Sequence, residues 1–104
     1  MDFFAYKNNK LYCEDVDLQD IAMECGTPCY VYSKKTLERH VGVYKNAFKT
    51  KNNLIFFSVK SLSNISILEL INKNGCGFDV VSGGELKRAL YIGADPKKII
   101  FSGV

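Results

Sequence analysis

From Leu54 to its last residue the chain alternates apolar, strand-like runs with amphipathic helical ones, and this order limits the fold more than any other feature. Leu54-Ile55-Phe56-Phe57-Ser58-Val59 is apolar at nearly every position, as a strand covered on both faces must be. Ser63 or Asn64 can cap a helix carrying Ile67, Leu68 and Ile71, and Asn74-Gly75 ends it. Cys76 to Val81 supplies a second strand. Ser82-Gly83-Gly84-Glu85 then fits a capping box for a helix with Leu86, Ala89 and Leu90 on one face, stopping at Gly93. Lys98-Ile99-Ile100-Phe101 reads as a third strand. Strand, helix, strand, helix, strand predicts neighbouring parallel strands joined by helical crossovers, either in an open sheet or in part of a closed barrel. A complete eight-unit barrel takes about 250 residues, so 104 residues hold only its first units.

The preceding half has a different pattern. Phe3-Phe4-Ala5-Tyr6 and Leu11-Tyr12-Cys13 flank the polar Lys7-Asn8-Asn9-Lys10, which predicts a β-hairpin. Leu18, Ile21, Ala22 and Cys25 recur at helical spacing between a capping Asp17 and Gly26. Cys29-Tyr30-Val31-Tyr32 is β-rich. After Ser33, the residues Leu37, Val41, Tyr44 and Phe48 line one face of a longer helix. These boundaries divide the chain into residues 1–32, with a hairpin, short helix and strand, and residues 33–104, with the first helix and first βα units.

Composition excludes several classes. Fourteen Lys plus Arg against eleven Asp plus Glu give a net charge of +3, but the basic residues are scattered, so no nucleic-acid footprint is expected. No apolar run approaches the roughly 20 residues of a membrane helix, and the amino terminus does not read as a secretory signal. A soluble, cytoplasmic protein without membrane association is the expectation. Cys13, Cys25, Cys29 and Cys76 form no Cys-x-x-Cys pair and His40 is distant from them in sequence, so no metal site is expected. The thiols read as free and mostly buried. His40 reads as a surface residue.

Lys60 is the position that carries chemistry. It directly follows the first apolar strand, at the carboxyl rim where barrels place active sites, and a lysine amine in a partly desolvated site can bond to an aldehyde cofactor. Position alone also suits a lysine that merely solubilises a strand end. Phe57-Ser58-Val59-Lys60-Ser61-Leu62, followed by Ile67-Leu68, Ile71 and Gly75, resembles the cofactor-attachment signature of the ornithine, diaminopimelate and arginine decarboxylase family. A second block, Gly77-Phe78-Asp79-Val80-Val81-Ser82-Gly83-Gly84-Glu85-Leu86, resembles that family's next strand and turn at the expected distance. Tyr6-Lys7-Asn8, Gly26-Thr27-Pro28 with Val31-Tyr32, and Phe101-Ser102-Gly103-Val104 resemble stretches of its diaminopimelate branch. Three positions depart from the pattern. Ser58 stands where the family usually has Pro or Ala, and Ser61-Leu62 follows the lysine where the diaminopimelate branch often has Ala-Asn.

The resemblance implies an α/β fold, a partial (β/α)8 barrel of the alanine-racemase-like type behind an amino-terminal β-hairpin. It further implies pyridoxal 5'-phosphate as cofactor, held covalently by Lys60, with Asp79 near it. Asp79 also suits a strand-end residue capping backbone donors. Gly83-Gly84 fits a tight strand-to-helix turn better than a phosphate cradle, because the family holds the cofactor phosphate mainly through later segments. The implied reaction is decarboxylation of meso-diaminopimelate in lysine biosynthesis by a homodimer acting on a small amino acid. A chain of this length reads as a truncated form with little or no activity alone. The alternative is a noncatalytic remnant that binds pyridoxal phosphate or a partner.

Overall fold

The computed structural model describes residues 2–50 and 52–104. Contacts divide the chain into two units, Met1–Arg39 and His40–Val104. In the first, β1 (Phe4–Lys7), β2 (Lys10–Cys13) and the two-residue β3 (Val16–Asp17) form an antiparallel sheet in that order. Phe4 pairs with Cys13 and Lys7 with Lys10, leaving Asn8 and Asn9 as a two-residue turn. Both have positive φ, 50° and 62°, the left-handed pair that a tight hairpin needs and that Asn tolerates better than most residues. The strand β3 lacks a signal in the sequence, because two residues are too few to show alternation.

Asp17 ends β3 and caps α1 (Leu18–Cys25), accepting from the Gln19 N–H at 2.8 Å and from the Lys10 amine at 3.0 Å. Glu14 makes the other polar joint. Its carboxylate accepts from the Lys35 N–H and the Ser33 hydroxyl, each at 2.8 Å, at the start of α2 (Lys34–Ala47), while Ser33 Oγ accepts from the Thr36 N–H. The backbone donor of Lys35, then Ser33, holds the Glu14 carboxyl below its usual range; the Gln19 N–H, then Lys10, does so for Asp17. A carboxyl whose folded pKa is depressed contributes stability above its unfolded value of about 4 and loses it as pH falls through the folded value. We therefore expect this unit to be pH-insensitive near neutrality and to weaken in acid below about pH 4. Thermal melts of wild type and Glu14→Gln at pH 7 and pH 3 check this. The variant should melt lower at pH 7, and the gap should close at pH 3.

One sequence expectation fails in this half. Cys29 to Tyr32 has no strand assignment, and no described strand pairs with it. Its β-rich composition is not sufficient without a partner for its backbone groups. Tyr30 is 90% exposed and stacks on Tyr32 at 6.4 Å.

The second unit is the expected parallel sheet. β4 (Phe56–Ser58), β5 (Gly77–Val80) and β6 (Ile99–Phe101) lie in sequence order, both pairs parallel. Between them run α3 (Ile65–Lys73) and α4 (Gly83–Tyr91), and 3-10 turns occupy Val59–Ser61 and Pro96–Lys98. Asn64, not Ser63, caps α3, accepting from the Ser66 and Ile67 N–H groups. Ser82 caps α4 through the Glu85 N–H, and the Glu85 carboxylate reaches back one residue further than a standard capping box, to the Val81 N–H at 2.7 Å.

Phe78, Leu68, Val59 and Val80 are fully buried and form the core with Ile67, Ile71, Cys76 and Ala89. Gly77 admits no side chain, since a Cβ there would lie 2.5 Å from the Lys98 carbonyl oxygen and 2.8 Å from the Phe56 ring. The first strand is shorter than the apolar run 54–59: Leu54 is exposed, Ile55 precedes the ladder, and Val59 has turned into a 3-10 helix. Beside β6 an open apolar groove of about 570 Å³ is lined by Val80, Leu86, Leu90, Ile99 and Phe101 among others. The helix face expected from Leu86, Ala89 and Leu90 accordingly buries only Ala89.

Candidate functional site

Lys60 is the middle residue of the 3-10 turn that begins where β4 ends. Val59, fully buried, anchors the turn from below. The Ser61 hydroxyl donates to the Ser58 carbonyl at 2.6 Å, and the Leu62 N–H donates to the Val59 carbonyl at 3.1 Å, closing the backbone on both sides of the lysine. The Lys60 side chain is exposed and makes no ion pair among the described residues. A fixed backbone thus presents an uncommitted amine at the carboxyl end of a parallel strand.

Across the sheet, register sets the neighbours. Ser58 aligns with Asp79 on β5, and Asp79 aligns with Ile100 on β6. Aligned residues in a parallel pair share a face, so Ser58, two residues before the lysine, lies side by side with Asp79. Asp79 Oδ1 accepts a hydrogen bond of 2.5 Å from the hydroxyl of Ser102, just past β6, whose N–H donates to the Val80 carbonyl at 3.1 Å. Ser58 and Asp79 on adjacent strands and Ser102 just past the third therefore form one polar row at the carboxyl ends. Asp79 is oriented by a hydroxyl from the next strand, which places it away from any helix-capping role: Ser82 and Glu85 supply the cap of α4.

The two residues singled out from the sequence, Lys60 and Asp79, lie at the carboxyl ends of neighbouring strands; Ser102 as the partner of Asp79 has no such signal. That hydrogen bond depends on pairing between residues 23 apart in sequence, and its only local signal is a small polar residue directly after an apolar strand. Gly83 and Gly84 occupy the first turn of α4, but a Cβ at Gly83 would meet nothing within 4 Å and one at Gly84 only Ser82 Oγ at 3.8 Å. Crowding in the strand-to-helix turn therefore does not require glycine at either position. His40 is exposed, as expected. All four cysteines are free, with Cys13 and Cys76 buried but Cys25 and Cys29 exposed, so burial holds for only half of them. Burial pushes the Cys76 and Cys13 thiols up. Among the described residues no His, Cys, Asp and Glu side chains cluster to hold a metal ion, and no helix is long and apolar enough to cross a membrane.

Residues 34–104 match the family described as pyridoxal-dependent decarboxylase, pyridoxal binding domain. The whole chain is 54% identical over 104 residues to the diaminopimelate decarboxylase of Haemophilus influenzae and 46% identical over 105 aligned positions to that of Vibrio cholerae, covering 25% of each relative. The chain thus spans about a quarter of the length of the curated relatives it matches. Among solved structures, diaminopimelate decarboxylase from M. jannaschii in complex with L-lysine superposes with a TM-score of 0.90 at 34% identity, over 98% of this chain and 25% of that one.

Proposed function

Because the chain belongs to the pyridoxal-dependent decarboxylase family through its pyridoxal binding domain, we propose that it forms the cofactor-attachment part of a diaminopimelate decarboxylase. The observation that carries this reading is the placement of Lys60, an uncommitted amine on a closed turn beside the row of Ser58, Asp79 and Ser102. In this reading residues 1–32 lead into the barrel and residues 33–104 are its first helix and first βα units.

The residues present fit pyridoxal 5'-phosphate. Lys60 Nζ would be the group that holds its aldehyde, and no ion pair among the described residues would have to break first. Asp79 would supply a carboxylate on the strand beside the attachment strand, held by the Ser102 hydroxyl. The pyridoxal ring, when bound, supplies the electron sink that loss of a carboxylate from an α-amino acid requires. Val59 and Ser61 keep the Lys60 backbone from following its side chain, so that the nitrogen returns to the same place. Phosphate-holding and substrate-selecting groups come, in this reading, from the remaining length that the relatives have. The L-lysine held by the M. jannaschii relative is what diaminopimelate becomes on losing one carboxylate, which supports diaminopimelate over ornithine or arginine as substrate.

Incubation with pyridoxal phosphate, reduction with borohydride and peptide mapping test the attachment site. The fixed label is expected on the peptide containing Lys60, ahead of the other lysines of the chain. Label spread evenly over surface lysines would overturn the proposal.

A further inference from the structure

Ser58 Oγ is buried and has no hydrogen-bond partner, the one side-chain polar atom so placed among the described residues. Most buried hydroxyls in folded proteins are partnered, and one that is not is destabilising unless something outside the chain completes it. Its position suggests what that is. Ser58 ends β4, two residues before Lys60, and aligns with Asp79 on β5. Asp79 is the neighbour by register, and its carboxylate accepts from Ser102 and not from Ser58. The Ser58 carbonyl is also engaged, by Ser61, so the backbone is fixed and only the hydroxyl is uncommitted. The residue as a whole keeps some exposed surface, and its hydroxyl has one side-chain bond about which to re-aim.

We infer that the Ser58 hydroxyl is a positioning group for the cofactor, donating a hydrogen bond to the phenolic oxygen of pyridoxal phosphate attached at Lys60. The inference rests on the attachment proposed above. Chemistry suits that acceptor: of the two ring carbons next to the one bearing the aldehyde, one carries the phosphate arm and the other the phenolic oxygen, so the phenolic oxygen is the acceptor that a donor two residues before the lysine would serve. A hydroxyl donor there would stabilise the ionised phenolic oxygen and so change the absorption of the bound ring. An alanine could fill the same space but could make neither contribution.

The test compares the full chain with Ser58→Ala, Ser58→Thr and Lys60→Ala, titrating each with pyridoxal phosphate and following both the absorption spectrum and borohydride-fixed label at Lys60. Ser58→Ala is expected to keep the fold, with a melting temperature equal to or above wild type because an unpartnered hydroxyl is gone. It should bind about fivefold more weakly, the factor that one net hydrogen bond is worth, and the absorption band of the bound cofactor should shift. Ser58→Thr, which retains the hydroxyl, should restore the wild-type band. If Ser58→Ala binds with wild-type affinity and an unchanged band while Lys60 is still labelled, Ser58 has no role toward the cofactor and the attachment reading stands. If wild type itself gives no label at Lys60, the attachment reading fails and takes this inference with it.

Discussion

Lys60→Ala is expected to lose essentially all of the site-specific pyridoxal label and to fold as the wild type does. The two halves of that expectation have separate physical grounds. Loss of label follows because the amine is the only atom of the residue that can bond to the aldehyde, and no neighbour on the 3-10 turn Val59–Ser61 carries another. Retention of the fold follows because the Lys60 side chain is exposed and makes no ion pair among the described residues, and such surface changes are usually within about 0.5 kcal/mol. Label mapped before and after the substitution, with a melt of each protein, decides both. Undiminished label in Lys60→Ala would reject the site. The same chain, assayed alone with diaminopimelate, is expected to release carbon dioxide at least about a hundredfold more slowly than a full-length relative, since positioning and electrostatic groups of that weight are absent from its polar row. Turnover comparable to a relative would show that the catalytic groups all lie within these 104 residues.

What sequence could reveal here follows from how local each determinant is. The caps Asp17, Asn64 and Ser82 are all within three residues of the donors they satisfy; Asp17 and Ser82 are readable as short polar residues ahead of an apolar helical pattern, while at the third helix the sequence leaves Ser63 and Asn64 as alternatives. The parallel order of β4, β5 and β6 followed from alternation with helices. The failures are non-local. Cys29 to Tyr32 looks like a strand until its lack of a described partner is known, and the apolar run from Leu54 conceals that Val59 has left the ladder to anchor a turn. The strand-end position of Lys60 is a local feature of the sequence, whereas the partnership of Asp79 with Ser102 and the orphaned hydroxyl of Ser58 depend on register between strands. Ser58 was visible in sequence as a departure from the family's usual Pro or Ala, but only burial turns that departure into an unmet hydrogen bond.

Phe78→Ala is expected to remove most or all of the stability of the second unit. Phe78 is the largest of the fully buried side chains and sits on β5, the central strand, between the ladders to β4 and β6. Truncating a fully buried aromatic costs about 3–5 kcal/mol, the sum of lost transfer energy and the cavity left behind. Small domains have little more than that in total, on the order of 5 kcal/mol at the lower end. Collapse into the cavity is restricted on one side by Gly77, where Phe56 and the Lys98 carbonyl already crowd the backbone. Leu90→Ala is the matched control: Leu90 is 45% exposed on the groove beside β6, and its loss should cost no more than about 1 kcal/mol. Urea denaturation followed by far-ultraviolet circular dichroism measures both. Phe78→Ala should show little or no cooperative transition while Leu90→Ala shifts the midpoint slightly. Equal losses, or a tolerated Phe78→Ala beside a damaging Leu90→Ala, would place the packing centre on the groove side of α4 and reject a core organised around the middle strand.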